Sequence, residues 1–146
     1  MKPFQRIALV STGTLIATIM AGTMAARAEF RPDVRASAEE KTATYPVLSQ
    51  GDCELARAVV TVRPNGTGTW RTTAFTRRAS TGNIWRSTLD FRTSAGAALF
   101  SRGPFASPEL TDGNPPPRVN STYRFTFPSS QYNSIDLTKT YLWSEC

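Results

Sequence analysis

The run I-W-R-S-T-L-D-F-R-T-S-A-G-A-A-L-F at residues 84–100 decides the fold class. Trp85, Ser87, Leu89 and Phe91 alternate with Arg86, Thr88, Asp90 and Arg92. Successive strand residues point to opposite faces, so one face is mostly apolar and the other wholly polar. Ser94-Ala95-Gly96 then offers a turn whose glycine is free to take positive φ, and residues 97–100 can return as a second strand. Such a hairpin has to cover a core.

The same grammar extends through residues 45–146, the size of one domain. No window of a dozen residues sustains helical spacing, while short runs rich in Thr, Val and aromatics are broken by Gly, Pro, Asn and Ser. A first strand is expected at 54–63, with Val59, Val60 and Val62, ending at the turn P-N-G-T-G of 64–68. A second follows at 69–77, with Trp70, Thr72 and Ala74 on one face. Residues 119–127 place Val119, Ser121, Tyr123, Phe125 and Phe127 on one face and Asn120, Thr122, Arg124 and Thr126 on the other. After a turn at 128–134 with room for one helical turn, a last strand runs over 135–146 with a break near Thr138. Residues 101–117 are expected to be a long ordered loop, since five prolines there exclude a central strand. The class is all-β: about six antiparallel strands closing their apolar faces as a two-sheet sandwich or a small barrel. Trp70, Trp85, Leu89, Phe91, Leu99, Tyr123, Phe125, Phe127, Ile135 and Leu137 form the expected core.

The amino terminus has a different texture. Lys2 and Arg6 precede an apolar run ending in Ala26-Arg27-Ala28, the small-x-small pattern of a signal peptidase site. Residues 1–28 therefore read as a signal peptide cleaved after Ala28, and the protein as secreted, with no membrane association after cleavage. The uncleaved anchor is the competing reading, against which Ser, Thr and Gly dilute the run. Of 17 basic residues, losing Lys2, Arg6 and Arg27 leaves 14 against 11 acidic ones, so the mature net charge is about +3. Residues 29–44 hold seven charges and only Phe30 and Val34 as large apolar side chains. That composition reads as a flexible leader, either spacer or propeptide. In an oxidising compartment Cys53 and Cys146 are expected to form one disulfide, closing a loop of about 93 residues.

Taken together, G-D-C at 51–53, N-G-T-G-T-W at 65–70, W-R-S-T-L-D-F at 85–91, S-A-G-A-A-L-F at 94–100, D-G-N-P-P-P at 112–117 and the Cys at 146 resemble an uncharacterised family. It is a domain-of-unknown-function family of small secreted actinobacterial proteins. The resemblance implies a secreted β-domain with one disulfide. It brings no activity and no functional residue.

The residues present limit the chemistry. There is no His, which removes Ser-His-Asp and Cys-His catalysis and the usual zinc sites. No catalytic residue, metal or cofactor is assigned. Asp90, between Arg86 and Arg92 on its strand, reads as a surface ion-pair member, and Asp112-Gly113-Asn114 lacks the ligand spacing of a calcium loop. Trp70 and Trp85 read as core in preference to sugar-stacking platforms. Arg77-Arg78 is the only adjacent basic pair after the signal, so nucleic acid is not an expected partner.

Two classes of function remain. The first is a monomeric binding module for an extracellular protein or polysaccharide, protease inhibition included, with Arg102, Phe105, Glu109, Asp112 and Asn114 in the Pro-rich segment as candidate contacts. For protease inhibition, Arg77-Arg78 or Arg102-Gly103 would face the protease. The plain alternative is that the segment merely crosses between sheets. The second class is a small carboxylate-dependent extracellular hydrolase, pairing Asp112 with a strand acid. Export itself is checked by amino-terminal sequencing of protein recovered from the culture medium. The expected first residue is Glu29; a membrane-bound chain starting at Met1 would refute cleavage.

Overall fold

In β7 (Arg86–Arg92) the alternation of the sequence becomes geometry: Ser87, Leu89 and Phe91 are buried, as is Trp85 just before the strand. A turn closed by Thr93 N–H to the Ala97 carbonyl (2.9 Å), with Gly96 at φ +85°, returns the chain as β8 (Ala98–Ala106). A computed structural model describes residues 26–28, 32–77 and 82–146, the first group by backbone path alone. Its elements in chain order are β1 (Ala26–Ala28), β2 (Asp33–Ala36), β3 (Lys41–Tyr45), β4 (Leu48–Gln50), β5 (Cys53–Val62), β6 (Thr67–Thr76), β7, β8, β9 (Val119–Thr126) and β10 (Tyr141–Glu145). Two short 3-10 helices, Ser129–Ser134 and Leu137–Lys139, lie between β9 and β10.

The strands form two antiparallel sheets, a sandwich and not a closed barrel. The first sheet has the order β1-β10-β7-β8; the second has β2-β3-β5-β6-β9, with β4 also paired to β5. Their inner faces meet through aromatic rings. Phe91 and Phe100 from the first sheet reach Phe125 and Phe127 from the second, with centroids 5.7 Å (Phe91–Phe125) and 5.2 Å (Phe100–Phe127) apart. Of the expected core residues, Leu99 and Tyr123 are half-buried and the rest are buried. The core also takes in Ala43, Tyr45, Leu48, Leu55, Leu110, Tyr132 and Leu142.

The Asn65-Gly66-Thr67-Gly68 stretch shows why those residue types stand there. Gly66 has φ +82° and its carbonyl accepts the Phe127 N–H at 2.8 Å, while the Asn65 side chain accepts the Thr67 N–H at 3.1 Å. Gly68 is opposite Phe125 in the sheet register, and the Phe125 ring occupies the space a Cβ at 68 would need. A missing side chain on one strand thus seats a ring from the next.

Cys53, at the start of β5 in the second sheet, is bonded to Cys146, just past β10 in the first. The pairing expected from the sequence is present, with Cα atoms 6.1 Å apart, and it ties one sheet to the other.

Two expectations are corrected. Residues 33–44, read as part of a flexible leader, form with Tyr45 the β2–β3 hairpin, with β3 paired along β5. Composition misleads because the hairpin does not stabilise itself. Ala43 and Tyr45 enter the core, and Lys41 donates hydrogen bonds to the Tyr132 and Ile135 carbonyls, both at 2.8 Å. Burial draws the Lys41 ammonium below its usual range, against the opposing pull of the Asp136 charge. The second correction is β8, which runs on through Gly103-Pro104 where a loop was expected. Being the edge strand of its sheet, it tolerates a proline that has no N–H to give to a neighbour.

Residues 1–25, most of the expected signal peptide, lie outside the described residues, while Ala26–Ala28 pair antiparallel with β10. Among the described residues no helix is long and apolar enough to cross a membrane.

Two substitutions test this arrangement. Cys146→Ser removes a closure across 93 residues and is expected to cost about 4 to 5 kcal/mol of unfolding free energy in the chain-entropy account; an unchanged denaturation midpoint without reductant would contradict a stabilising bond. Gly68→Ala forces Phe125 from its seat and should cost about 1 to 3 kcal/mol, read from urea unfolding.

Candidate functional site

The five loop candidates do not converge. Arg102 and Phe105 belong to β8 and are turned to structural tasks. The Arg102 guanidinium donates to the carbonyls of Thr126 and Ser101, both at 2.7 Å, and lies 4.8 Å above the Phe100 ring. Phe105 stacks on Tyr123 at 5.1 Å. Glu109, Asp112 and Asn114 are exposed on the connection from β8 to β9, where the Asp112 carboxylate accepts the Gly113 N–H at 2.7 Å. That connection is pinned at its start, since the Ser107 hydroxyl accepts the Trp85 N–H at 3.0 Å and buried Leu110 bridges to Asn83. It crosses from the first sheet to the second.

A more coherent surface is the outer face of the second sheet. Inward residues of β6 are Gly68, Trp70, Thr72, Ala74 and Thr76, so Thr67, Thr69, Arg71 and Thr73 point out. On β9 the outward set is Asn120, Thr122, Arg124 and Thr126; on β3 it is Thr42 and Thr44. On β5 a bulge between Leu55 and Arg57 resets the alternation. Cys53 and Leu55 point in, and after the bulge Ala58, Val60 and Val62 do, leaving Arg57, Val59 and Thr61 outside.

Register brings the arginines together. Arg57 is opposite Thr73, which is opposite Asn120; Arg71 lies between Val59 and Thr122; Arg124 is opposite Thr69. Arg57, Arg71 and Arg124 therefore descend by two residues per strand, a diagonal across β5, β6 and β9. All three are exposed, and none has a hydrogen bond or carboxylate partner among the described residues. The hydroxyls of Thr44, Thr69, Thr122 and Thr126 are likewise without a partner among the described residues, whereas Thr73 donates to Asn120 at 2.7 Å. Shallow depressions mark the diagonal: one of about 300 Å³ beside Arg57, Arg71 and Asn120, and one of about 420 Å³ beside Arg63, Thr69 and Arg124. The acids of this face are off the diagonal. Glu54, opposite Phe75 on β5, is 3.9 Å from Arg77, Asp33 sits on edge strand β2, and Glu40 is held 3.4 Å from Arg63.

Several charges elsewhere are engaged. Asp90 accepts from Arg92 at 2.6 Å and from the Ser101 hydroxyl at 3.0 Å. The Asp136 carboxylate is held below the usual range by hydrogen bonds from Thr138, whose hydroxyl lies at 2.6 Å. Trp70 and Trp85 are core residues; the exposed tryptophan is Trp143, 37% accessible on the outer side of β10. Among the described residues no group of three or more His, Cys, Asp or Glu side chains gathers as a metal site would require.

A model described as a family of unknown function, DUF6294, matches residues 59–146. The chain belongs to this family. The match takes in the last four residues of β5, all of β6 to β10, and with them Arg71, Arg124 and Cys146; Arg57, Cys53 and the strands before β5 precede it. Neither the curated proteins nor the solved structures contain a match to the chain.

Sequence reasoning missed the arginine surface for a definable reason. Alternation alone places Arg71 and Arg124 on polar faces, but only register sets them side by side. Counting by twos from Cys53 and Leu55 would turn Arg57 inward.

Proposed function

We propose that the protein is an exported binding module that holds an extended extracellular partner against the outer face of its second sheet. The observation that supports this reading is the diagonal of Arg57, Arg71 and Arg124, exposed without ionic partners beside Thr69, Thr122 and Thr126, whose hydroxyls have no partner among the described residues. The face is broad and shallow. Small-molecule sites are concave and enclose most of the ligand, so a surface of this shape suits a polymer chain or another macromolecule. Regular sheet pairing fixes the backbone that carries these groups, which confines the ordering cost of binding to their side chains. The signal-like amino terminus, the disulfide and the resemblance to small secreted actinobacterial proteins support export.

The hydrolase reading is weaker on geometry. Retaining and inverting glycosidases need two carboxyl groups facing one substrate bond. Here Asp90 is committed to Arg92 and Ser101, and Asp112 to a turn in the crossing loop. The face's acids are dispersed: Glu54 on β5 is engaged with Arg77, Glu40 with Arg63, and Asp33 is on the β2 edge.

Co-sedimentation with insoluble extracellular polysaccharide and wall material is the test. Thr69→Gln/Thr122→Gln, which raises two long uncharged side chains on the flat face, should lower the bound fraction severalfold. Replacing residues 112–117 by a Gly-Ser linker should leave it unchanged. Loss with the linker alone would move the contact to the crossing loop, and no sedimentation of the wild-type chain would refute the binding reading.

A further inference from the structure

We infer that the occupant of this face is an anionic polysaccharide, lying along the arginine diagonal with its acidic groups on the guanidiniums and its hydroxyls on the threonines. The inference rests on the binding reading above and adds the chemical class of the partner. In ideal sheet geometry each step of the diagonal, one strand across and two residues along, spans about 8 Å, and Arg57 to Arg124 about 17 Å. That is a line of positive charge at regular intervals. Such a line fits a chain with acidic groups repeated along it better than a single small anion. Each guanidinium offers a planar fork of N–H donors that matches a carboxylate or sulfate with two parallel bonds.

The groups between the arginines specify the rest of the ligand. Thr44, Thr69, Thr122 and Thr126 present hydroxyls with both donor and acceptor capacity and no partner among the described residues, and Asn120 adds an amide beside Arg57 and Arg71. A hydroxyl-rich chain is their natural complement. Val59 is the apolar residue between Arg57 and Arg71 in the 300 Å³ depression.

The same inventory disfavours other polyanions and protein partners. Single-stranded nucleic acid is held by aromatic platforms on which bases stack. The face's aromatic residue, Phe75, is half-buried and covered by the Arg118 guanidinium at 4.8 Å. Duplex reading uses a helix or ribbon that enters a groove, and a broad flat sheet cannot. Protein interfaces concentrate their energy in aromatic and arginine anchors buried among apolar contacts, and this face offers arginines among hydroxyls with no exposed aromatic beside them.

The charges also explain why the ligand must be anionic. Arg57, Arg71 and Arg124 stand on adjacent strands with no carboxylate between them; Glu54, beyond Arg57 on β5, is engaged with Arg77 at 3.9 Å, and Asp33 is at the β2 edge. Their mutual repulsion is relieved only from outside the protein. Binding should therefore weaken as salt rises.

The test measures affinity of the full, oxidised chain for polygalacturonate, dextran sulfate, neutral dextran and duplex DNA over a series of salt concentrations. The inference expects binding to at least one of the two acidic glycans, none to neutral dextran, and weaker binding to DNA. Arg57→Gln/Arg71→Gln/Arg124→Gln should lower acidic-glycan affinity at least tenfold and flatten the salt dependence, with an unchanged melting temperature. Arg86→Gln, on the opposite sheet, should bind as wild type does. Equal binding to neutral dextran, tighter binding to DNA, no binding to either acidic glycan, or a triple variant indistinguishable from wild type would each overturn it. If these fail while Thr69→Gln/Thr122→Gln still lowers co-sedimentation severalfold, the ligand class is wrong and the binding face stands; if that variant also has no effect, both fall.

Discussion

Each sheet of this protein has one apolar face and no means of burying it alone, and that constraint organises the rest. The inner faces must meet, and the rings of Phe91, Phe100, Phe125 and Phe127 are where they do so across the sandwich. Full burial of a large apolar side chain contributes about 1.5 to 3 kcal/mol, so Trp70, Trp85, Leu89 and Phe91 together matter greatly to a domain of this size. Stacking also leaves each sheet with a second face that the core does not use. The outer face of the second sheet is the larger of these, and its side chains are free to answer to something other than folding.

How much of this could be read from the sequence depends on whether the deciding signal is local. The β7–β8 hairpin and the turn at Asn65-Gly66 are local, set by alternation and by glycines whose positive φ values other residues rarely adopt. The β2–β3 hairpin was hidden because its order comes from elsewhere in the chain. Lys41 is fixed by carbonyls more than ninety positions away, and Ala43 and Tyr45 are buried by strands not yet assembled when the segment is read alone. The length of β8 was hidden for a related reason: a proline is excluded from a central strand, but edge or centre is a property of the sheet.

The candidate site was less legible than the fold. Attention in the sequence falls on the Pro-rich crossing because it looks unusual, yet Arg102 and Phe105 there are committed to the second sheet, one by hydrogen bonds to a β9 carbonyl and one by ring stacking. Arg57, Arg71 and Arg124 look unremarkable in a chain whose arginines are dispersed. Dispersion along the sequence is what lets three different strands each supply one charge to a single line. The bulge at the start of β5 completes the line, turning outward a residue that strict alternation would bury.

The bond between Cys53 and Cys146 spans the two sheets, and this has a consequence for quality control. The thiols belong to different layers and to opposite ends of the patterned region, so they are held within reach of each other only once both sheets have formed and stacked. A chain with a slipped strand or an unpaired sheet leaves them apart, with both thiols open to pairing between chains. Oxidation of this pair thus acts as an assembly checkpoint: it records, in a covalent bond, that the sandwich has closed.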